Sequence, residues 1–343
     1  MDSIIIAITG SNGKTTTKEM LYHILSHYHS CSKSLDNHNS TIGLPITFLN
    51  CNLKSKYAIL ELGANKNGEI EKLCKIIKPN FSLITNISNA HIENFNSFDE
   101  IIATKSAIFS NLEGNGIAFV NINDIAITNL KIRNKRITFG MNNAKANYNG
   151  KLENVSTLRI NDFVLNIPEE INYLYECILS VYAISRTLGI TNKQFQEALQ
   201  TYTIPNGRGG ILIKKLSYGN CKIIDDAYNA SPSSMQFGIK RFAQLNTNNN
   251  KVLIIADMLE LGNFKKEEHR KIGTLINTLD VDIVLTFGSA MSYTFKELDN
   301  QYQYKEHFDD IKFLKEKFNS IIQNGDLIFI KGSRSMRLER LYS

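Results

Sequence analysis

Residues 4–17 read IIIAITGSNGKTTT and place a glycine-containing loop between a short apolar run and a polar, helix-forming segment. This order of strand, loop and helix is typical of a phosphate-binding P-loop in an α/β protein. The full pattern has a glycine five residues before Gly13, where this chain has Ile8. Gly10 supplies the backbone freedom instead, so the sequence predicts a variant P-loop.

The residues of this loop predict a nucleoside triphosphate as the ligand. Glycines let the backbone approach a phosphate group closely, and the N-terminus of the following helix adds its dipole. Lys14 is expected to reach the β- and γ-phosphates, and the Thr15 hydroxyl is expected to bind Mg²⁺. The other residues expected to contact the nucleotide are Gly10, Ser11, Asn12, Gly13 and Thr16.

Short apolar runs alternate with helical patterns after the loop. Apolar runs without alternation indicate strands buried on both faces, and therefore a mostly parallel sheet covered by helices. The predicted strands are residues 4–9, 57–62, 81–87 and 117–120, and the predicted helices are residues 15–26, 68–77, 98–112 and 172–188. Between residues 143 and 168 the segments become short and polar, and Asn149-Gly150 predicts a hairpin turn in a small antiparallel patch.

The stretch TIPNGRGG at residues 203–210 has the proline and glycine content of a linker. We therefore expect a P-loop domain at residues 1–204 and a second domain at residues 205–343. In the second domain, strands are predicted at residues 222–225, 252–256, 283–287 and 327–330, and helices at residues 233–245, 266–279 and 309–322. This series predicts a Rossmann-like, doubly wound domain.

Composition excludes several classes of protein. The net charge of +6 comes from scattered lysines and arginines, which fits small anionic substrates better than nucleic acid. The five cysteines are widely spaced and form no C-x-x-C pair, which favours free thiols over a zinc site. No apolar run approaches the length of a membrane span, and no signal-peptide layout precedes the first strand. We expect a cytoplasmic protein.

Polar residues also stand where other predicted strands end. Glu61 ends one apolar run, and His91 follows the next. Because the carboxyl ends of parallel strands line one crevice, both side chains are expected beside Lys14 and Thr15, where they suit Mg²⁺. In the second domain the strand-end segments are DDAYNASP at residues 225–232, Asp257, and KGSR at residues 331–334. Each of these could instead serve as a turn or a helix cap.

Eight of these segments together resemble a known family. TGSNGKTTTKE, LELGAN, ITNISNAHIENF, ATKSAIF, NGR, DDAYNASPSSM, ADMLELG and KGSRSM occur in the order seen in Mur ligases, the ATP-dependent amide ligases of peptidoglycan precursor synthesis. The resemblance covers nearly the whole chain. DDAYNASPSSM and ADMLELG look most like the branch that adds D-alanyl-D-alanine to UDP-N-acetylmuramoyl tripeptide.

The resemblance implies a reaction and a role for each matched residue. ATP would phosphorylate the tripeptide carboxylate, and the dipeptide amine would then attack the acyl phosphate. Thr15 and Glu61 would hold one Mg²⁺, His91 would help to hold a second, and Lys105 matches a lysine that is carbamylated in the family. Arg208 would approach phosphate from the linker. Asn229 and Asp257 would contact the nucleotide from the second domain. Both substrates are small molecules, and we expect a monomer.

The chain also departs from the family pattern. We expect it to lack the N-terminal domain that grips the uridine diphosphate end of the substrate, because the P-loop begins so early. Residues 36–45 resemble the family's asparagine-rich loop, with Ser40 replacing one asparagine. Ile171, Tyr173 and Cys177 stand where the family usually has glycine, histidine and asparagine. Two alternatives therefore stay open: a sister ligase of the folylpolyglutamate synthetase type, and a nucleotide-binding but inactive remnant.

Overall fold

The structure is a computed structural model that describes residues 3–35, 39–50, 54–88, 92–216 and 219–342. The described residues divide into two compact units, one ending at Ile204 and one beginning at Pro205, with Ile92 and Glu93 grouped in the second. Throughout the described ranges, every helix is too short or too polar to cross a membrane. Four of the five cysteines lie in these ranges, and all four are free thiols.

Nine described strands of the first unit form one sheet. They are β1 (Ile4–Thr9), β2 (Cys31–Lys33), β3 (Tyr57–Glu61), β4 (Phe81–Ile84), β5 (Ile117–Asn121), β6 (Lys135–Met141), β7 (Tyr148–Asn154), β8 (Thr157–Ile160) and β9 (Phe163–Asn166). Their order is β2-β3-β1-β4-β5-β6-β7-β8-β9. Pairs from β2 to β7 are parallel, and β8 and β9 extend the sheet in antiparallel fashion.

Helices cover the parallel part of this sheet. They are α1 (Lys14–Ser26), α2 (Gly43–Asn50), α3 (Glu69–Ile77), α4 (Phe98–Ser110), α5 (Ile125–Thr128), α6 (Tyr175–Thr187) and α7 (Asn192–Leu199). One core packs β1 and β3 against α1, α6 and α7 through residues such as Ile8, Leu21, Val181 and Phe195. Because β1 and β3 are buried along almost their whole length, their apolar runs show no alternation.

The antiparallel patch forms where we predicted it, but the predicted turn at Asn149-Gly150 is wrong. Both residues lie inside β7. A Cβ atom at Gly150 would lie 2.7 Å from the Met141 sulfur, so this glycine allows β7 to approach β6 closely. One of the actual turns contains Asn161, which has a left-handed φ of 51°. Its carboxamide accepts a hydrogen bond from the Asn149 backbone N–H at 2.9 Å.

Six described strands of the second unit form a second sheet. They are β10 (Gly210–Leu216), β11 (Gly219–Asp226), β12 (Lys251–Ala256), β13 (Ile283–Phe287), β14 (Tyr304–Phe308) and β15 (Leu327–Lys331). Their order is β10-β11-β15-β12-β13-β14, with β10 antiparallel to β11 and the other pairs parallel. The helices are α8 (Pro232–Ala243), α9 (Lys265–Ile276), α10 (Met291–Glu297) and α11 (Ile311–Ile321).

The residues of β12 divide between two separate cores. Val252 and Ile254 belong to the core that includes Phe318 of α11. Leu253 and Ile255 belong to the core that includes residues of α8 and α9. Because successive side chains of a strand point to opposite faces, the second sheet is covered by helices on both faces. The second unit is therefore doubly wound, as predicted.

Candidate active site

The loop between β1 and α1 lies at the carboxyl end of a central strand, since β1 is paired with β3 on one side and β4 on the other. Gly10 has a φ of 149°, and a Cβ atom on it would lie 1.9 Å from Thr85 Oγ1. Gly13 caps α1 with a left-handed φ of 78°. The backbone of this loop therefore requires glycine at both positions, for space at the first and for conformation at the second.

The segment that follows β4 holds this loop in place. The Ser11 backbone N–H donates to the Asn86 carbonyl at 2.9 Å, and Asn86 Oδ1 accepts from the Asn12 N–H at 3.0 Å. The Thr85 hydroxyl donates to the Asn12 carbonyl at 2.6 Å, and the Ser11 hydroxyl donates to the Ser88 carbonyl at 2.9 Å. Sequence reasoning assigned no role to Thr85, Asn86 or Ser88, although their position after a strand beside β1 was the available signal.

Two lysine ammonium groups converge on the Gly10 carbonyl. Lys14 Nζ donates to it at 2.8 Å and to the Ser11 carbonyl at 3.2 Å, and Lys105 Nζ from α4 donates to it at 3.3 Å. Lys105 is only 5% exposed. Burial, and then the charge of Lys14, lowers the pKa of Lys105 to about 7. Lys14 therefore places a positive charge at this carbonyl, which suits the phosphate groups of a nucleotide, and Lys105 beside it is only partly protonated near neutral pH.

Glu61 lies at the end of β3, the neighbour of β1, and its side chain is 2% exposed. Its Oε1 accepts a hydrogen bond from the Asn39 carboxamide at 2.8 Å, and the Gly63 N–H donates to the Asn39 carbonyl at 2.8 Å. Its Oε2 is buried and has no hydrogen-bond partner among the described atoms. A buried carboxylate oxygen without a donor is costly unless a cation approaches it, so Glu61 fits a Mg²⁺ ligand.

Of the two other side chains predicted to bind metal beside Glu61 and Lys105, the structure describes Thr15 and not His91. Thr15 is in the first turn of α1, beside Lys14. His91 lies outside the described residues, as do Asp36, Asn37 and His38 of the asparagine-rich loop. In the described ranges, His, Cys, Asp and Glu side chains do not gather in threes as a metal site.

The helix start that departs from the family pattern packs directly against the P-loop helix. Cys177 Sγ lies 3.4 Å from the Thr17 hydroxyl, which itself donates to the Gly13 carbonyl at 2.8 Å. Burial raises the pKa of the Cys177 thiol to about 12, so this thiol is neutral and unreactive. Ile171 is buried in the core of the first unit. This contact gives the segment a packing role beside the loop.

The second unit contains a pocket of about 460 Å³ at the carboxyl ends of its strands. The polar residues that line it include Asn229, Ser231, Glu260, Ser333, Arg334 and Arg337. The Ser231 side chain caps α8 by accepting a hydrogen bond from the Ser234 N–H at 3.3 Å. The positive end of a helix and two arginines meet here beside the Glu260 carboxylate. Arg334 is also paired with Glu339 at 2.8 Å, so an anionic group in this pocket would share Arg334 with that carboxylate.

An ion pair between buried Lys331 and partly buried Asp226 fixes one wall of this pocket. Lys331 Nζ lies 2.6 Å from the Asp226 carboxylate and donates to the Asn229 carbonyl at 3.0 Å. Burial raises the pKa of Asp226, against the effect of Lys331. Lys331, which is 2% exposed, thus links the last strand of the sheet to the backbone of Asn229.

Asp257 and Arg208 contact other parts of the second unit. The Asp257 carboxylate accepts hydrogen bonds from the backbone N–H groups of Ala290 at 3.2 Å and Met291 at 2.8 Å, so it caps α10. The guanidinium of Arg208 lies 3.7 Å from the centre of the Tyr228 ring, within the range of a cation–π interaction.

His269 of α9 supports the backbone next to Asp257. Its Nε2 accepts from the Met258 N–H at 3.1 Å, and its Nδ1 lies 2.7 Å from the Lys265 carbonyl. These partners require the neutral ring with its proton on Nδ1. Burial lowers the pKa of His269, which agrees with this protonation state.

The fold and the loop together define a P-loop nucleotide-binding protein of the α/β class, with a doubly wound second unit. The Mur ligase middle domain matches residues 8–173, and the domain described as Mur ligase, glutamate ligase domain matches residues 212–334. The chain belongs to the Mur ligase family.

The curated relatives include UDP-N-acetylmuramoyl-tripeptide–D-alanyl-D-alanine ligases. That of Rickettsia prowazekii is 33% identical and that of Bacillus subtilis 31%; each match covers 98% of this chain, and they cover 76% and 74% of the relative. A solved MurF ligase from Thermotoga maritima, in complex with ADP, is 28% identical with a TM-score of 0.85, and the match covers 99% of this chain and 79% of that one. The chain therefore spans about three quarters of the length of these relatives.

Proposed function

We propose that this chain is an ATP-dependent amide ligase that joins D-alanyl-D-alanine to UDP-N-acetylmuramoyl tripeptide. The names of the curated relatives support this reaction, as does the ADP bound to the solved relative. The observation that carries the proposal is the meeting of Lys14 and Lys105 at the Gly10 carbonyl, with Glu61 on the neighbouring strand. Such a site can hold a triphosphate while a carboxylate attacks it.

The proposed reaction has two steps. The tripeptide carboxylate takes the γ-phosphoryl group of ATP, giving an acyl phosphate and ADP. The neutral amine of the dipeptide then attacks the acyl carbon, the amide bond forms as the bond to phosphate breaks, and the proton lost by the amine passes to the departing phosphate or to solvent. The first step brings two anions together, so Lys14 lowers the barrier by neutralising charge on the transferred phosphoryl group.

We assign the metal-binding role to Glu61 and Thr15. The unpartnered Oε2 of Glu61 supports this assignment, because a carboxylate oxygen in that state is a hard ligand for Mg²⁺. Bound Mg²⁺ would supply charge neutralisation on the phosphates. The role of His91 beside a second ion stays a prediction from the family resemblance.

Lys105 is proposed to act as a carbamate. A buried amine with a pKa of about 7 is partly neutral at physiological pH, and only the neutral amine reacts with carbon dioxide. The modification would turn a cation into an anion beside the metal site. Lys105 is thus proposed to join Glu61 in serving the metal rather than to remain a second cation.

We further propose that residues 1–204 form the ATP-binding domain and residues 205–343 a domain for the second substrate. The pocket of the second unit is large enough for a dipeptide, and Arg334 and Arg337 suit its carboxylate. Contact of Asn229, Asp257 and Arg208 with the nucleotide stays a proposal from the family resemblance.

The experiment that tests the function measures ADP release. Release should require both UDP-N-acetylmuramoyl tripeptide and D-alanyl-D-alanine, and omission of either should abolish it. Stimulation by folate with glutamate would instead favour the folylpolyglutamate synthetase type. Calorimetric binding of ATP without turnover on any acceptor would favour an inactive remnant.

A further inference from the structure

Lys18 is a fully buried lysine in α1, one helical turn beyond Lys14. Its ammonium donates a hydrogen bond to the Ser34 carbonyl at 2.8 Å and lies 3.1 Å from the Glu19 carboxylate. A buried charge is costly and persists only where its partners are well placed. The position of Lys18 therefore ties the P-loop helix firmly to the backbone of Ser34.

Ser34 carries this connection onward to Glu61. Ser34 is itself fully buried, and its hydroxyl accepts a hydrogen bond from the Glu61 N–H at 3.0 Å. Its own N–H donates to the Ile59 carbonyl at 3.0 Å, so Ser34 continues the pairing of β2 with β3. The Ser34 hydroxyl therefore provides the hydrogen-bond acceptor for the backbone N–H of Glu61, whose carboxylate has one oxygen without a partner.

We propose that Lys18 and Ser34 are positioning residues that hold Glu61 ready to bind a divalent cation. The inference rests on the proposed function, in which Glu61 binds the metal of the nucleotide. Lys18 fixes the Ser34 backbone, Ser34 fixes the Glu61 backbone, and Asn39 fixes Oε1 at 2.8 Å, which leaves Oε2 for the cation. Residues of this kind contact a metal-binding side chain and not the metal itself. Their mutation typically lowers metal affinity by about 10- to 100-fold.

The chain offers a clean set of variants. Ser34→Ala removes the acceptor for the Glu61 N–H and leaves the carbonyl that accepts from Lys18. Lys18→Met keeps most of the side-chain volume and removes the ammonium. Glu19→Gln is the matched control, because it weakens the ion pairs of Glu19 with Lys18 and Lys33 but leaves the bond from Lys18 to Ser34.

Manganese(II) is the probe, and its affinity in the presence of ADP is measured by electron paramagnetic resonance on the full chain. We expect the dissociation constant to rise on the order of 10-fold in Ser34→Ala and Lys18→Met and to stay unchanged in Glu19→Gln. ADP affinity without metal, measured by calorimetry, should be the same in all four proteins. In turnover, the Mg²⁺ concentration at half-maximal rate should rise, while the rate at saturating Mg²⁺ recovers.

Each outcome decides a different point. Unchanged manganese affinity in Ser34→Ala would overturn the inference even where Lys18→Met fails to fold. An equal loss in Glu19→Gln, or a parallel loss of metal-free ADP binding, would reduce the effect to general destabilisation and overturn it too. Absence of metal-dependent ADP binding in the wild type would instead overturn the metal role of Glu61, and this inference with it.

Discussion

The ammonium groups of Lys14 and Lys105 share one hydrogen-bond acceptor, the carbonyl oxygen of Gly10. Lys14 belongs to the P-loop helix, whereas Lys105 comes from α4, more than 90 residues further along the chain. Their meeting depends on the order of the sheet, in which β1 and β4 are neighbours. The strand order therefore brings these two lysines together, and substitution of each lysine tests its role separately.

Lys14→Ala should lower turnover about 100- to 1000-fold, because the lysine neutralises charge that develops on the transferred phosphoryl group. The melting temperature should change little, since the Lys14 side chain is only partly buried. Initial rates of ADP release and a thermal melt check both points. Lys193→Ala, at a highly exposed lysine of α7, is the control and should match the wild type. Undiminished turnover in Lys14→Ala would rule out the assigned role.

Lys105→Ala should lose activity and regain part of it with added short carboxylic acids, because a small carboxylate can replace the carbamate in the space left by the side chain. Lys105→Arg retains a cation but cannot be carbamylated, so it should be inactive without rescue. Rates are measured with and without acetate at constant ionic strength. Full activity of Lys105→Ala without any additive would contradict the carbamate proposal.

Gly10→Ala should destabilise the first unit by about 1–3 kcal/mol and weaken ADP binding, because the new methyl group meets Thr85 at a left-handed φ. Gly13→Ala is the comparison, since a Cβ atom there meets no atom within 4 Å. It should cost only the left-handed backbone conformation, roughly 1 kcal/mol. Urea unfolding gives both values. An equal loss of unfolding free energy in the two variants would show that the Thr85 side chain moves aside at little cost.

The free energy of unfolding should fall as the pH decreases from 7 towards 5, in part because of His269. Burial lowers the pKa of His269 in the folded state below the unfolded value of 6.5, so the unfolded chain binds a proton more readily. The stabilisation by neutral His269 is complete above pH 6.5 and is lost as the pH falls through the folded pKa. His269→Gln keeps a donor and an acceptor without titrating, so its stability should depend less on pH. Parallel pH profiles for the two proteins would exclude this contribution.

Arg334→Ala should raise the KM for D-alanyl-D-alanine about 10-fold or more and leave the KM for ATP nearly unchanged, because the arginine lines the pocket assigned to the dipeptide carboxylate. Asn229→Ala should show the opposite pattern if it contacts the nucleotide. Arg270→Ala, at a half-exposed arginine paired with Glu297, is the control. A higher KM for ATP alone in Arg334→Ala would reassign the pocket to the nucleotide.

The buried parallel strands could be predicted from sequence because apolar runs carry a strong signal. The bounds of β1 and β13 match the prediction, and β3 and β11 differ from it by one to three residues at an end. The sequence pattern does not predict β2, because this strand is only three residues long and they are polar or small. Pro45 lies inside α2, although proline in a sequence usually indicates a loop. β14 is an edge strand, and its charged residues do not show the apolar pattern of a buried strand.

The candidate site was only partly predictable for a related reason. Lys14 and Thr15 belong to a local motif, and Glu61 stands at a visible strand end. Lys18 looks like an ordinary helix lysine in the sequence, because burial depends on the neighbouring strands. The contacts of residues 85–88 with the loop likewise depend on the pairing of β1 with β4, which no local pattern records.

The strand order of the second sheet has a consequence for biosynthesis. β15 is the last described strand in the sequence, yet it lies between β11 and β12. While the ribosome is still making the residues before Leu327, β11 and β12 therefore lack their common neighbour and expose unpaired, apolar edges. A nascent chain in this state is prone to aggregation, and a premature stop before Leu327 should yield insoluble protein rather than a shortened enzyme.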